Sequence, residues 1–209
     1  VQTLRLLGTQ TSPYVRRVRI VAAELGIEVE LVETADDAGQ STLRAFNPLW
    51  KVPSAEIEGH QLFDSRVINA YLLRHEGPGP LATLDPDELE AMNFLTVIDG
   101  CLDALINVLY LGRDGLGPAQ AGYIEKQRAR SFAGMAWIAE QVDALATDSL
   151  ASTRFGLLHI ALATTLEWMH FRGTYPVERH PNLVAFMTQH GDRPSLVATR
   201  PPDYAGYPS

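Results

Sequence analysis

The chain has 209 residues, 46% of them hydrophobic and 20% charged, with a formal net charge of −8. That composition is ordinary for a soluble globular protein, and the length suits one large domain or two modest ones. The acidic balance excludes an electrostatic grip on nucleic acid, which needs a basic stripe.

The single cysteine, Cys101, has no partner for an internal disulfide, which suits a reducing compartment. Uninterrupted apolar stretches such as Leu157–Ala163 are too short to span a bilayer, and no basic-then-apolar leader pattern opens the sequence. The expectation is a cytoplasmic protein that engages neither nucleic acid nor membrane. The histidines show no metal-ligand spacing, so no metal is expected.

In chain order, Leu4–Leu7 reads as a short strand, and Val15, Val18, Val21, Ala22 and Leu25 then recur at helical spacing. Ser12 stands at the N-cap of that helix and Pro13 at its first position, where a missing N–H costs nothing. Unpaired amides and the positive end of the helix dipole therefore point out of the strand–helix junction, which suits an anion or a thiolate. Arg16, Arg17 and Arg19 follow, none with an acid four residues on. Ile27–Val32 alternates as a half-buried strand does. Thr34–Gln40 is polar, Ser41–Phe46 fits one or two helical turns, and Asn47–Pro53 is too proline-rich for regular structure. Ser54–Ile57 and His60–Phe63 flank Glu58-Gly59 as a hairpin. Asp64-Ser65 then opens a helix carrying Val67, Ile68, Tyr71 and Leu72.

Gly77-Pro78-Gly79-Pro80 through Asp85-Pro86 reads as a linker, and beyond it the pattern is helical. Leu89 to Leu109 mark one long helix ending near Gly112. A second is expected from Pro118 to about Leu145, a third from Phe155 to His170, and a fourth from Pro181, with one more turn at Ser195–Thr199. The domains read as 1–76, α/β with strand order βαβαββα; 77–86, a linker; and 87–209, all-α.

Ser12 at its junction, Val52-Pro53 before a hairpin strand, and Asp64-Ser65 at a helix start, in this order and spacing, resemble the glutathione transferase superfamily. The resemblance covers essentially the whole chain. It implies a thioredoxin-like N-terminal domain followed by a helical C-terminal domain, with glutathione as co-substrate. It further implies a cis Val52–Pro53 bond, with the Val52 backbone pairing to the cysteinyl part of glutathione and Lys51 near the glycyl carboxylate. Ser65 would hold the γ-glutamyl carboxylate, its hydroxyl also able to cap the helix, and Asp64, one methylene shorter than the usual Glu or Gln, would face the γ-glutamyl ammonium.

By the same resemblance Ser12 is the catalytic residue, donating a hydrogen bond to the glutathione sulfur. A hydroxyl donates to sulfur while its lone pairs accept a capping amide, so the two roles are compatible. A free thiol titrates near ~8.5, and a charge-assisted hydrogen bond of roughly 1.5–3 kcal/mol lowers that by about one to two units. The tetrapeptide Ser12-Pro13-Tyr14-Val15 also looks like the Cys-Pro-Tyr-Cys motif of glutaredoxins with both cysteines replaced, which removes dithiol chemistry. Tyr14 is a rival for the sulfur, and Arg16 is a further candidate for the anionic ligand.

The resemblance places the second substrate, a small hydrophobic electrophile, against the first long helix of the α domain, with Tyr14, Asn107, Tyr110 and Leu111 as candidate contacts, and it implies a homodimer. The same site would serve a glutathione-dependent isomerase or peroxidase, or a non-catalytic binding or regulatory protein. One departure concerns the Ser/Thr-x-x-Asp capping box of the family's central C-terminal helix. This chain has Gly156-Leu157-Leu158-His159 there, with Ser152 or Thr153 as alternative caps.

Overall fold

The structure is a computed structural model that describes residues 3–146 and 154–204. It divides into two compact units: the described residues up to Thr83 together with those from Gly191 on, and the residues from Leu84 to His190.

The first unit is built on a four-stranded sheet of order β2-β1-β3-β4. Strand β1 (Thr3–Gly8) pairs parallel with β2 (Glu28–Glu33) and antiparallel with β3 (Ser54–Ile57), which pairs antiparallel with β4 (His60–Leu62). Leu4, Leu6 and Leu7 of β1 are fully buried, as befits a central strand. Helix α1 (Pro13–Leu25) buries Val15, Val18, Ile20, Val21 and Ala22. It ends at Gly26, whose φ of 70° gives the left-handed C-cap that glycine adopts without strain.

Helix α2 (Asp37–Phe46) begins four residues before the expected Ser41. The polar run read as loop is its first turn: Asp36 caps it, accepting from the Gly39 amide at 2.7 Å. Helix α3 (Ser65–His75) closes the α/β part. The C-terminal α8 (Pro194–Ala198) belongs to this same unit and packs on α1.

The second unit holds α4 (Leu89–Arg113), α5 (Gly122–Gln141), α6 (Leu157–Arg172) and α7 (Pro181–His190), with 3-10 turns at Val142–Ala146 and Val177–Arg179. Helix α5 starts at Gly122 instead of Pro118, because Gly117–Ala121 forms a turn in which the Gln120 and Ala121 amides donate to the Gly117 carbonyl. Helix α6 is buried on every side from Leu158 to Met169, which makes it the core of this unit.

By length and composition α4 is apolar enough to cross a bilayer, with a mean hydropathy of 1.7 in its best window. Counting unbroken apolar runs did not register this. Its face of Phe94, Ile98, Cys101, Leu102 and Leu105 is buried and it packs against α5 and α6, the behaviour of a core helix.

Gly156 is the N-cap of α6 and makes no side-chain capping bond. The His159 ring instead sits 5.6 Å from Phe155, 6.1 Å from Phe186 and 5.2 Å from His190, only 2% exposed. An aromatic cluster thus occupies the place of the capping box. Ser152 and Thr153 lie outside the described residues.

Candidate functional site

The sheet register places the C-terminal ends of β1 and β4 and the N-terminal end of β3 on one edge, since Leu7 pairs with Ser54 and Ala55 with Leu62. Ser12 lies four residues beyond the end of β1, Val52-Pro53 directly precede β3, and Asp64-Ser65 follow β4 after Phe63. Strands β1, β3 and β4 are consecutive in the sheet, so the ends of the two outer ones lie two strand spacings apart, about 10 Å.

Ser12 has the extended backbone of an N-cap, and its Oγ accepts from the Val15 amide at 3.3 Å. The hydroxyl proton donates to nothing among the described residues, so the serine caps the helix with its donor still available. The junction is tight: a Cβ on Gly8 would lie 2.4 Å from Val15 Cγ2. Tyr14 is half-buried, with the Arg17 guanidinium 4.7 Å above its ring.

The loop before β3 is organised by Asn47, a residue that sequence reasoning passed over. It is 1% exposed. Its Nδ2 donates to the Lys51 carbonyl and to Ser54 Oγ, both at 2.9 Å, and its Oδ1 accepts from the Leu49 amide at 2.8 Å. Ser54 Oγ in turn donates to the Lys51 carbonyl at 2.9 Å. The signal was present in the sequence, since Asn-Pro favours a side-chain-to-backbone turn. The result is a fixed loop whose next peptide bond, Val52–Pro53, is cis, as the resemblance implies. The Val52 amide and carbonyl form no hydrogen bond among the described residues. They offer an adjacent donor and acceptor to an extended backbone. The Lys51 side chain is exposed and forms no ion pair among the described residues.

At α3 the N-cap is Asp64, one residue earlier than Ser65. Asp64 Oδ1 accepts from the Arg66 amide at 2.8 Å, and the Phe63–Asp64 peptide is cis. Ser65 is therefore the first helical residue, 4% exposed, and neither its amide nor its hydroxyl is hydrogen-bonded among the described residues. An unpaired amide at the first turn is an anion-binding group by construction. Asp64, exposed, spends one carboxylate oxygen on the cap and keeps the other.

Arg16 has a different place from the one expected. It is 3% exposed, donating through Nη2 to the Leu196 carbonyl at 2.9 Å and through Nε to Thr199 Oγ1 at 3.3 Å. It ties α1 to the C-terminal segment. Cys101 is buried on α4, and burial pushes its thiol up to about 12, against a smaller opposing effect of its hydrogen bond to the Ser131 carbonyl. It is no nucleophile at neutral pH.

In the second unit Asn107, Tyr110 and Leu111 share the C-terminal half of α4. Asn107 is exposed and its Nδ2 donates to the Asp103 carbonyl at 2.9 Å; Tyr110 is 58% exposed beneath the Arg113 guanidinium. A cleft of about 670 Å³ in this unit is lined by Arg128, Phe132, His170 and Tyr175 among others, and by none of those three. Among the described residues no cluster of His, Cys, Asp and Glu could hold a metal.

Residues 6–80 match the N-terminal domain of glutathione S-transferases, and residues 121–189 match the C-terminal domain. The chain is 30% identical over 209 residues to the GST-like protein YibF of Escherichia coli, covering 95% of this chain and 99% of that protein. Among solved structures, a glutathione S-transferase from Methylobacterium radiotolerans in complex with glutathione sulfonate superposes with a TM-score of 0.81 at 30% identity, covering 99% of this chain and 98% of that one. A glutathione S-transferase from Methylobacillus flagellatus with glutathione bound gives 0.81 at 29% identity, covering 95% and 99%. This chain belongs to the glutathione S-transferase family.

Proposed function

We propose that the protein is a glutathione transferase that stabilises the glutathione thiolate for attack on small hydrophobic electrophiles. The observation that carries the reading is the set of uncommitted groups at one end of the sheet. The Ser12 hydroxyl proton, the Val52 amide and carbonyl, and the Ser65 amide and hydroxyl belong to segments that follow or precede the consecutive strands β1, β3 and β4, whose outer members lie about 10 Å apart. An extended tripeptide spans that distance at about 3.3–3.6 Å per residue. The order fits glutathione: sulfur at Ser12, cysteinyl backbone at Val52, γ-glutamyl carboxylate at Ser65. Asp64, with an oxygen to spare, meets the γ-glutamyl ammonium, and exposed Lys51 meets the glycyl carboxylate.

Two relatives of similar length and fold hold glutathione or its sulfonate, which supports the same ligand here. Ser12 acts by donating to the sulfur, aided by the helix N-terminus at about 0.3–1 kcal/mol. It does not itself attack carbon, having no adjacent base. The electrophile accepts the sulfur lone pair and expels its leaving group, and no protein thiol takes part. The buried Cys101, lacking a disulfide partner, fits a cytoplasmic location, and the reading includes a homodimer, to be checked by sedimentation.

Titration with glutathione, followed by calorimetry and by the ultraviolet absorbance of the bound thiolate, tests this. Binding with a thiolate signal near neutral pH is expected, and Ser12→Ala should raise the bound thiol's pKa by about one to two units with affinity nearly unchanged. Absence of binding overturns the reading. Binding without a thiolate points to a non-catalytic role, and a panel of aryl halides, activated alkenes and peroxides separates transfer from isomerase and peroxidase chemistry.

A further inference from the structure

The C-terminal segment reaches helix α1 at both of its ends. Near the N-terminus, one turn after Ser12, Arg16 donates to the Leu196 carbonyl at 2.9 Å and to Thr199 Oγ1 at 3.3 Å, and Arg19 donates to the Thr199 carbonyl at 3.2 Å. In the last turn, Glu24 receives Nε and Nη2 of Arg193 at 2.7 Å each, and the Ser195 hydroxyl as well. The segment is itself braced: Thr199 Oγ1 donates to the Ser195 carbonyl at 2.8 Å, and Arg200 Nη2 to the Gly191 carbonyl at 3.0 Å.

We infer that residues 193–199 are a positioning element for the thiolate, fixing α1 so that the Ser12 hydroxyl stands at the sulfur. The inference rests on the reading of Ser12 as the sulfur contact. The ties at Arg16 and Glu24 are eight residues apart, about 12 Å along the helix. Two attachments at that separation fix both the slide of α1 along its axis and its tilt. Ser12 is rigidly coupled to this axis, because its Oγ accepts from the Val15 amide within the first turn. A hydrogen bond to sulfur weakens steeply with distance and angle, so an axial slip of about 1 Å costs most of it. The ligand groups at Val52 and Ser65 are carried by other elements. Loosening the segment therefore leaves the hold on the tripeptide and weakens the hold on its sulfur.

The test compares Arg16→Met, Arg193→Met and Ser12→Ala in the full chain, each titrated with glutathione. Arg193 is partly exposed, with a side chain 30% accessible, so its variant should disturb folding less than that of the buried Arg16. The expected result is a rise of the bound thiol's pKa by about half a unit or more in both arginine variants, with the Kd for glutathione within about two-fold of the parent. Partial unfolding reduces the amplitude of the thiolate signal and does not move its pKa, so the shift is specific to positioning. An unchanged pKa in Arg193→Met, with the Ser12→Ala pKa raised, overturns the inference and leaves the Ser12 reading standing. An unchanged pKa in Ser12→Ala overturns both.

Discussion

Nε and Nη2 of Arg193 each donate to the Glu24 carboxylate at 2.7 Å, closing a gap of 169 positions in the sequence. Those hydrogen bonds hold the Glu24 carboxyl below its ordinary value, outweighing the opposing effect of burial. A carboxyl depressed in the folded state stabilises the fold above its unfolded pKa, near ~4.3, and loses that contribution as pH falls through the lower folded value. Glu24→Gln should therefore cost about 1 kcal/mol at neutral pH, once the partial exposure of Arg193 is allowed for. The deficit should shrink as pH falls from about 4 toward the lower folded value, below which both states of the parent are protonated. Urea unfolding across a pH series measures it; a deficit that stays constant into acid would refute the ion-pair account.

Asn47 holds the loop that presents Lys51 and Val52. Its three side-chain hydrogen bonds, to the Lys51 carbonyl, Ser54 Oγ and the Leu49 amide, are made inside the protein. Asn47→Leu leaves those partners without it and should cost roughly 2–4 kcal/mol. The loop that then relaxes is the one proposed to pair with the cysteinyl backbone, so affinity for glutathione should fall by at least about ten-fold, or about 1.4 kcal/mol. Calorimetric titration at a temperature where the variant is folded reads the affinity separately from the stability. Unchanged affinity would place the backbone contact elsewhere.

Most of the architecture was legible because the first 75 residues alternate period-two and period-3.6 patterns cleanly, and the Ser12, Val52-Pro53 and Asp64-Ser65 spacing follows from that order. Boundaries failed where side-chain capping decided them. Asp36 starts α2 early, Asp64 takes the cap expected of Ser65, and the Gly117–Ala121 turn delays α5. The partners of Arg16 and Glu24 were illegible for a physical reason: they lie about 170–180 residues away, on or at the caps of a five-residue helix too short to show periodicity. Arg16 therefore read as a cation for a ligand. Asn47 read as loop because a buried side-chain-to-backbone network leaves no periodic trace.

The contact between Gly8 and Val15 offers a test of how closely α1 must sit on β1. A Cβ at position 8 would lie 2.4 Å from Val15 Cγ2 and 2.9 Å from Cγ1, well inside contact distance. Gly8→Ala should cost about 1–3 kcal/mol by overpacking. Val15→Ala alone should cost about 2 kcal/mol by leaving a void at a fully buried site. Because the second change removes the atoms the first collides with, the double variant should be more stable than the sum of the two losses. Thermal unfolding of the four proteins measures the coupling. Strict additivity would mean the chain relieves the clash by moving the helix.

A second close approach, on α5, bears on the chain's one thiol. A Cβ at Gly134 would lie 2.3 Å from Cys101 Sγ, so the sulfur fills the space that glycine leaves. Burial pushes that thiol up to about 12, which keeps the nucleophilic thiolate negligible at neutral pH. The folded protein should therefore resist alkylating reagents and become labelled only on unfolding, as mass spectrometry across a urea series would register. Gly134→Ala should destabilise by about 1–3 kcal/mol, and adding Cys101→Ala should recover much of that loss, since the smaller side chain vacates the position the new methyl needs. Cys101→Ala should leave glutathione conjugation unchanged, because the reacting sulfur comes from the bound tripeptide. Loss of conjugation in a folded Cys101→Ala protein would put the protein's own thiol into the chemistry and sink the proposal that glutathione alone supplies it.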